Sequence, residues 1–260
     1  MFRRLPVALA IVLSAAPAAW CQFSTQEMKA AQKDPGAFTI DESSIKIQDL
    51  GPTVKPADIP PPTTEPGGGN PLPVLNEIIN TGLKIWKIIA DNHPVVDVRT
   101  QYATALPKGQ IGWADMGGWQ PPQGTVYALT AKNVYGVNVI NVRYQVLRTY
   151  GGSYQGKGKY LTAVTVEPLL VEVAWGYHFT MDASVPDTSV VNVGTSGDPV
   201  AGMMADLSWD ISTALKDSRG KGLYFLQGDG AYKEIGGPFS SQAAKLREAA
   251  AHLGKSVRFE

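Results

Sequence analysis

The stretch LLVEVAWGYHFTMD, residues 169–182, decides the fold class. Leu169, Val171, Val173, Trp175, Tyr177, Phe179 and Met181 share one parity, and Glu172, Ala174, Gly176, His178, Thr180 and Asp182 share the other. Successive side chains on a β-strand point to opposite faces, so a period of two predicts extended chain with one apolar side. The pattern recurs. In INVRYQV, residues 140–146, Ile140, Val142, Tyr144 and Val146 alternate with Asn141, Arg143 and Gln145. Val137 and Val139 have the opposite parity, which predicts a bulge near Val139–Ile140. Met203, Ala205, Leu207, Trp209, Ile211 and Leu215 form another run against Asp206, Ser208, Asp210 and Ser212. VVDVRTQYAT (residues 95–104) and GLYFLQ (residues 222–227) read as further strands.

No helical period interrupts residues 95–235, which argues against βαβ units and for antiparallel pairing. The expected class is mainly β, an antiparallel β-sandwich of two sheets. A transmembrane barrel also alternates, but it needs more comparable strands than the chain offers.

Two helices are expected to flank the sheets. In PVLNEIINTGLKIWKIIADNHP (residues 73–94), Leu75, Ile78, Ile79, Leu83, Trp86 and Ile89 fall on one face at 100° per residue. This predicts an amphipathic helix over residues 73–92, opened by Pro73 and stopped by Pro94. Its other face mixes Glu77 and Asp91 with Lys84 and Lys87. Mixed charge favours packing on a sheet over lying on a membrane, where polar faces are cationic. Near the end, SSQAAKLREAAAHLG (residues 240–254) predicts a C-terminal helix capped by Ser240 or Ser241 and ended by Gly254.

The segment between the start of the chain and the first expected helix has a different composition. MFRRLPVALAIVLSAAPAAWC, residues 1–21, has the positive start, short apolar core and small residues of an export signal. Cys21 is the sole cysteine, and Trp20 in front of it fits lipoprotein processing poorly. Residues 22–72 read as an extended Pro/Gly-rich segment, with an island at Phe38–Ile47 able to add a strand, and residues 73–260 as one helix-plus-sheet domain. Loss of residues 1–21 removes Arg3 and Arg4 and no acid, leaving a formal charge of −2. That balance gives no electrostatic case for nucleic acid. An exported chain that cannot form an internal disulfide suggests a bacterial periplasmic or secreted protein.

One motif imitates a nucleotide site. Gly151, Gly156 and Lys157 keep the G-x-x-x-x-G-K spacing of a phosphate loop. Gly158 stands where Ser or Thr would hold magnesium, and KYLTAVTV continues as a strand rather than a helix. The stretch is therefore predicted to be a hairpin turn.

Catalytic and metal-binding patterns are thin. His93, His178 and His252 are the only histidines, no H-E-x-x-H is present, and GTSGD (residues 194–198) lacks the nucleophile elbow. His178 and Asp182 share a strand face but stand roughly 13 Å apart, too far to hydrogen-bond directly. Asp206 and Asp210 are likewise too far apart to share one ion. No catalytic residue, cofactor or metal ligand is assigned. The loop GWADMGGWQPP (residues 112–122) offers Trp113, Met116 and Trp119 as a ligand or lipid contact, against the commoner use of such side chains to close the end of a core. The helix residues Leu75, Ile78, Ile79, Trp86 and Ile89 are the other candidate contact, with a membrane or with the sheet. The sequence thus predicts an exported non-catalytic binding or structural protein with a protein or glycan partner in the envelope. The runner-up is a membrane-active, pore-forming-type protein, and a glycan hydrolase comes third for want of a site.

Overall fold

A computed structural model of the protein describes residues 23–53, 74–95, 102–109 and 115–236. The expected signal peptide and C-terminal helix lie outside these residues, as does most of the Pro/Gly-rich stretch. The described chain is mainly β. In order, the elements are α1 (Thr25–Lys33), β1 (Ile40–Pro52), β2 (Val74–Ile79), β3 (Ile85–Ala90), β4 (His93–Pro94), β5 (Ala103–Lys108), β6 (Gln123–Asn133) and β7 (Asn138–Tyr154). They continue with β8 (Lys157–Val173), β9 (Tyr177–Ser184), β10 (Val191–Asn192), β11 (Ala201–Thr213), β12 (Asp217–Gln227) and β13 (Tyr232–Glu234).

One sheet has six strands in the order β1-β6-β7-β8-β5-β2. The other has seven, β13-β12-β11-β9-β3-β4, with β10 paired to the start of β11. Every ladder between these strands is antiparallel. Inward residues of both sheets belong to one core. Tyr127, Leu129, Ile140, Val142, Tyr144 and Val146 come from the first, and Phe179, Met181, Met203, Leu207, Ile211 and Tyr224 from the second. The expected bulge is present: Ala131 pairs with Ile140 and Lys132 with Asn138, which leaves Val139 over.

The run at 169–182 does not form one strand, and burial follows the expected alternation only in its second half, from Tyr177 onward. It turns at residues 174–176, so β8 ends in the six-stranded sheet and β9 begins in the other. Tyr177, Phe179 and Met181 are buried, whereas Leu169 and Trp175 are exposed. The stretch Gly151–Lys157 is a hairpin between β7 and β8, with Gln155 and Gly156 at φ of +50° and +76° and Tyr154 opposite Lys157. Positive φ at both central residues suits the right-handed twist of the flanking strands.

The amphipathic helix expected over residues 73–92 is not formed; the segment makes β2, β3 and β4 instead. Asn80 breaks it first. Its Oδ1 accepts the N–H groups of Gly82 at 2.9 Å and Thr104 at 3.0 Å, pinning a bend against β5. Asp91 and Asn92, at φ of +47° and +67°, then make a two-residue turn that pairs Ala90 with His93. Ile78, Trp86 and Ile89 are buried, Leu75 and Ile79 half-buried, and Leu83, on the apolar face of the expected helix, is exposed. The β-branched Ile and Val of this segment fit a pleated surface, and pairing with β5 and β9 satisfies their backbone.

The segment expected to be extended holds a helix, α1. Ser24 and Glu27 form a reciprocal capping box at its start. Ala31 is its only buried residue, so no apolar stripe announced it. The Phe38–Ile47 island does add a strand, β1, which pairs with β6 along the edge of the six-stranded sheet.

Candidate functional site

The outward face of the seven-stranded sheet is polar because the residues alternating with its core are Thr, Ser, Asp, Lys and Arg. Register sets two rows side by side. Thr180, Asp210 and Arg219 form one, and Asp182, Ser208 and Lys221 the other, across β9, β11 and β12. Together they line a groove of about 420 Å³. Neighbouring strands stand about 4.8 Å apart, so each row presents donors and acceptors at close, regular intervals. Arg219 makes an ion pair with Asp210 and lies 3.7 Å from Asp217. The Asp210 hydrogen bond, followed by its charge, holds the guanidinium above its ordinary range. Asp182 and Lys221 have no ion-pair partner among the described residues, so one row holds an unpaired acceptor and an unpaired donor.

His178, on the same face, takes partners remote in sequence. Its Nδ1 lies 2.6 Å from Asp91 Oδ1, and its Nε2 lies 3.7 Å from Glu27 Oε1. The Phe23 ring meets the imidazole edge-on, 4.6 Å between centroids. Burial pushes the Glu27 carboxyl up, but hydrogen bonds from the Ser24 N–H and hydroxyl, with the His178 interaction, hold it below the usual carboxylate range. Ser212 stands opposite His178 in register, yet both ring nitrogens face carboxylates rather than a hydroxyl. The cluster fastens α1 to the sheet.

Of the loop residues singled out from the sequence, Trp113 lies outside the described residues. Met116 is buried in the core, and Trp119 packs against it half-buried. A Cβ at Gly152 would come within 2.2 Å of the Trp119 ring, so that glycine lets the indole lie on the β7 backbone. Hydrogen bonds from Gly117 N to Ser153 O and from Gln120 N to Tyr150 O strap the loop to the hairpin. Leu75, Ile78, Ile79, Trp86 and Ile89, the candidate helix contact, are divided between β2 and β3.

Among the described residues, exposed aromatics stand elsewhere, where β6 turns into β7 and β8 into β9. Val134, Tyr135, Val137 and Trp175 are each more than half exposed there. Tyr135 donates to Asp34 at 2.9 Å, and Trp175 meets Phe38 edge-on at 5.9 Å. The two rows of the groove were also missed. Their residues are visible in sequence as the polar parity of each run, but their adjacency comes from pairing between distant strands.

Among the described residues no three His, Cys, Asp or Glu side chains are grouped to hold a metal ion, and no helix is long and apolar enough to cross a membrane. No family model matches the chain, and no curated protein or solved structure matches it.

Proposed function

We propose that the protein is an exported, non-catalytic binding module, built as a β-sandwich, that contacts a polar polymer of the cell envelope, such as a glycan, through the groove of the seven-stranded sheet. The observation that carries this reading is the pair of rows Thr180–Asp210–Arg219 and Asp182–Ser208–Lys221 along one groove. Each row holds a hydroxyl, a carboxylate and a cation, which together supply both donors and acceptors to sugar hydroxyls, which need both. The sandwich reading is supported by the cross-sheet hydroxyl contacts Tyr144–Tyr224 and Tyr127–Tyr232. Export rests on the composition of residues 1–21.

A glycan array probed with the wild type, Asp182→Ala and Lys221→Ala tests the reading. The expected result is selective binding to a subset of glycans, weakened at least tenfold in both variants with melting temperature unchanged. Equal binding by all three would contradict it.

The membrane-active reading loses the helix on which it was built, since residues 74–94 make β2, β3 and β4 with a bend and a turn between them. One observation still favours membrane contact: Tyr135 and Trp175 are exposed, as are Val134 and Val137. Liposome binding abolished by Trp175→Ala would favour it over the groove.

A further inference from the structure

Arg148 of β7 is 6% exposed, and its Nε and Nη1 have no hydrogen-bond partner. The guanidinium carbon stands 4.2 Å from the centroid of the Tyr232 ring. No ion pair reaches it among the described residues. The titratable groups that bear on it most are Tyr232, Tyr150 and Tyr127, and the carboxylates of Asp49 and Glu234 act on Tyr127 in turn. A buried cation lacking a counter-charge is expensive, and ring contact with one tyrosine offsets only part of that. Burial pushes the guanidinium down from its usual range, in keeping with a charge held without an acid.

The hydroxyls around it have protons to give. Gln123 Nε2 donates to the Tyr150 hydroxyl at 3.0 Å, so the Tyr150 O–H proton remains to be given elsewhere. Tyr127 and Tyr232 lie 2.9 Å apart, and whichever donates within the pair, the other keeps its proton. Tyr150 and Tyr232 are half-buried, so this donor-rich region reaches the surface beside them.

We propose that Arg148, with Tyr150 and the Tyr127–Tyr232 pair, forms an anion site that takes a single oxyanion group, a carboxylate or a phosphate, entering past Tyr150 and Tyr232. The oxyanion supplies the acceptors that Arg148 Nε and Nη1 lack and a charge held directly against the guanidinium. The site is separate from the groove, which lies on the outer face of the other sheet's β9, β11 and β12.

Thermal melting of the full chain tests the proposal, with inorganic phosphate and acetate in separate titrations and chloride holding ionic strength constant. The variants are Arg148→Met, which keeps the stem, and Tyr150→Phe, which keeps the ring. The expected result is a saturable rise in melting temperature with at least one of the two anions. Which anion acts identifies the group. The apparent affinity falls at least tenfold in Arg148→Met and several-fold in Tyr150→Phe. In chloride buffer without phosphate or acetate, Arg148→Met melts at or above the wild type, because no paired charge is lost. Equal responses in wild type and Tyr150→Phe, or no response to either anion in the wild type, overturn the proposal. So does an Arg148→Met protein that melts well below the wild type in chloride buffer without phosphate or acetate.

Discussion

The hydroxyls of Tyr144 and Tyr224 lie 2.6 Å apart, one from each sheet, with both side chains fully buried. Each satisfies the other at a depth water does not reach. Tyr144→Phe strands the Tyr224 hydroxyl and should lower stability by about 1–3 kcal/mol. The double variant Tyr144→Phe/Tyr224→Phe removes both polar atoms and should lie closer to the wild type than either single change. Chemical denaturation of the four proteins measures this; strictly additive losses would show that the pair is not coupled.

The same burial sets the alkaline limit of the fold. Burial pushes Tyr160 and Tyr177 up to about 12 and moves Tyr127, Tyr144, Tyr224 and Tyr232 higher still. The unfolded chain releases these protons near 10, so above that pH the folded state binds more protons than the unfolded one. The tyrosine contribution to stability is therefore complete below about pH 10 and falls as pH rises towards 12 and beyond. Tyrosinate absorbance should appear together with loss of β circular dichroism in one cooperative step. Tyrosines ionising well before the fold is lost would contradict the account.

Strand β3 separates two neighbours sharply. Trp86 is 5% exposed and Ile85 is 73% exposed. Trp86→Ala leaves a cavity under the sheet and should cost about 3–5 kcal/mol. Ile85→Ala should stay within about 0.5 kcal/mol, as exposed changes do. Equal, small effects at both positions would mean that the segment is not held in this register.

The turn Gln155–Gly156 is equally specific. Gly156, at φ of +76°, occupies a region where a Cβ costs about 1–2 kcal/mol, so Gly156→Ala should destabilise by about that much. Lys157→Ala should change stability by under about 0.5 kcal/mol. Titration with ATP should give no saturable binding, and micromolar binding lost in Lys157→Ala would restore the phosphate-loop reading.

Alternation made the β class, the antiparallel pairing and the Val139 bulge legible, because each depends on side chains a few residues apart. Residues 74–94 misled for a physical reason. Leu75, Ile78 and Ile79 belong to one strand and Trp86 and Ile89 to another, and the bend at Asn80–Gly82 separates them by a distance that mimics helical spacing. A bulge between Lys87 and Ile89 completes the imitation by burying both Ile88 and Ile89. The turn residues Asp91 and Asn92 were readable as a hairpin signal, but the apparent helical stripe overrode them. In α1 the signal was the Ser24–Glu27 cap rather than any stripe, since only Ala31 is buried. The polar parity of β9 and β11 was visible, but the groove needs Arg219 and Lys221 brought alongside by β12. The partners of His178 are more remote still, 87 residues away at Asp91 and on α1 at Glu27. Such contacts are set by topology, which a local pattern does not encode.

Amide chemical-shift mapping shows whether ligand contact occurs on the outer face of the seven-stranded sheet. Isotope-labelled protein would be titrated with soluble envelope glycan fragments. The predicted result is a contiguous set of shifts at Thr180, Asp182, Ser208, Asp210, Arg219 and Lys221, saturating together. Shifts confined to the Val134–Val137 turn and Trp175, with the groove unperturbed, would contradict contact on that face.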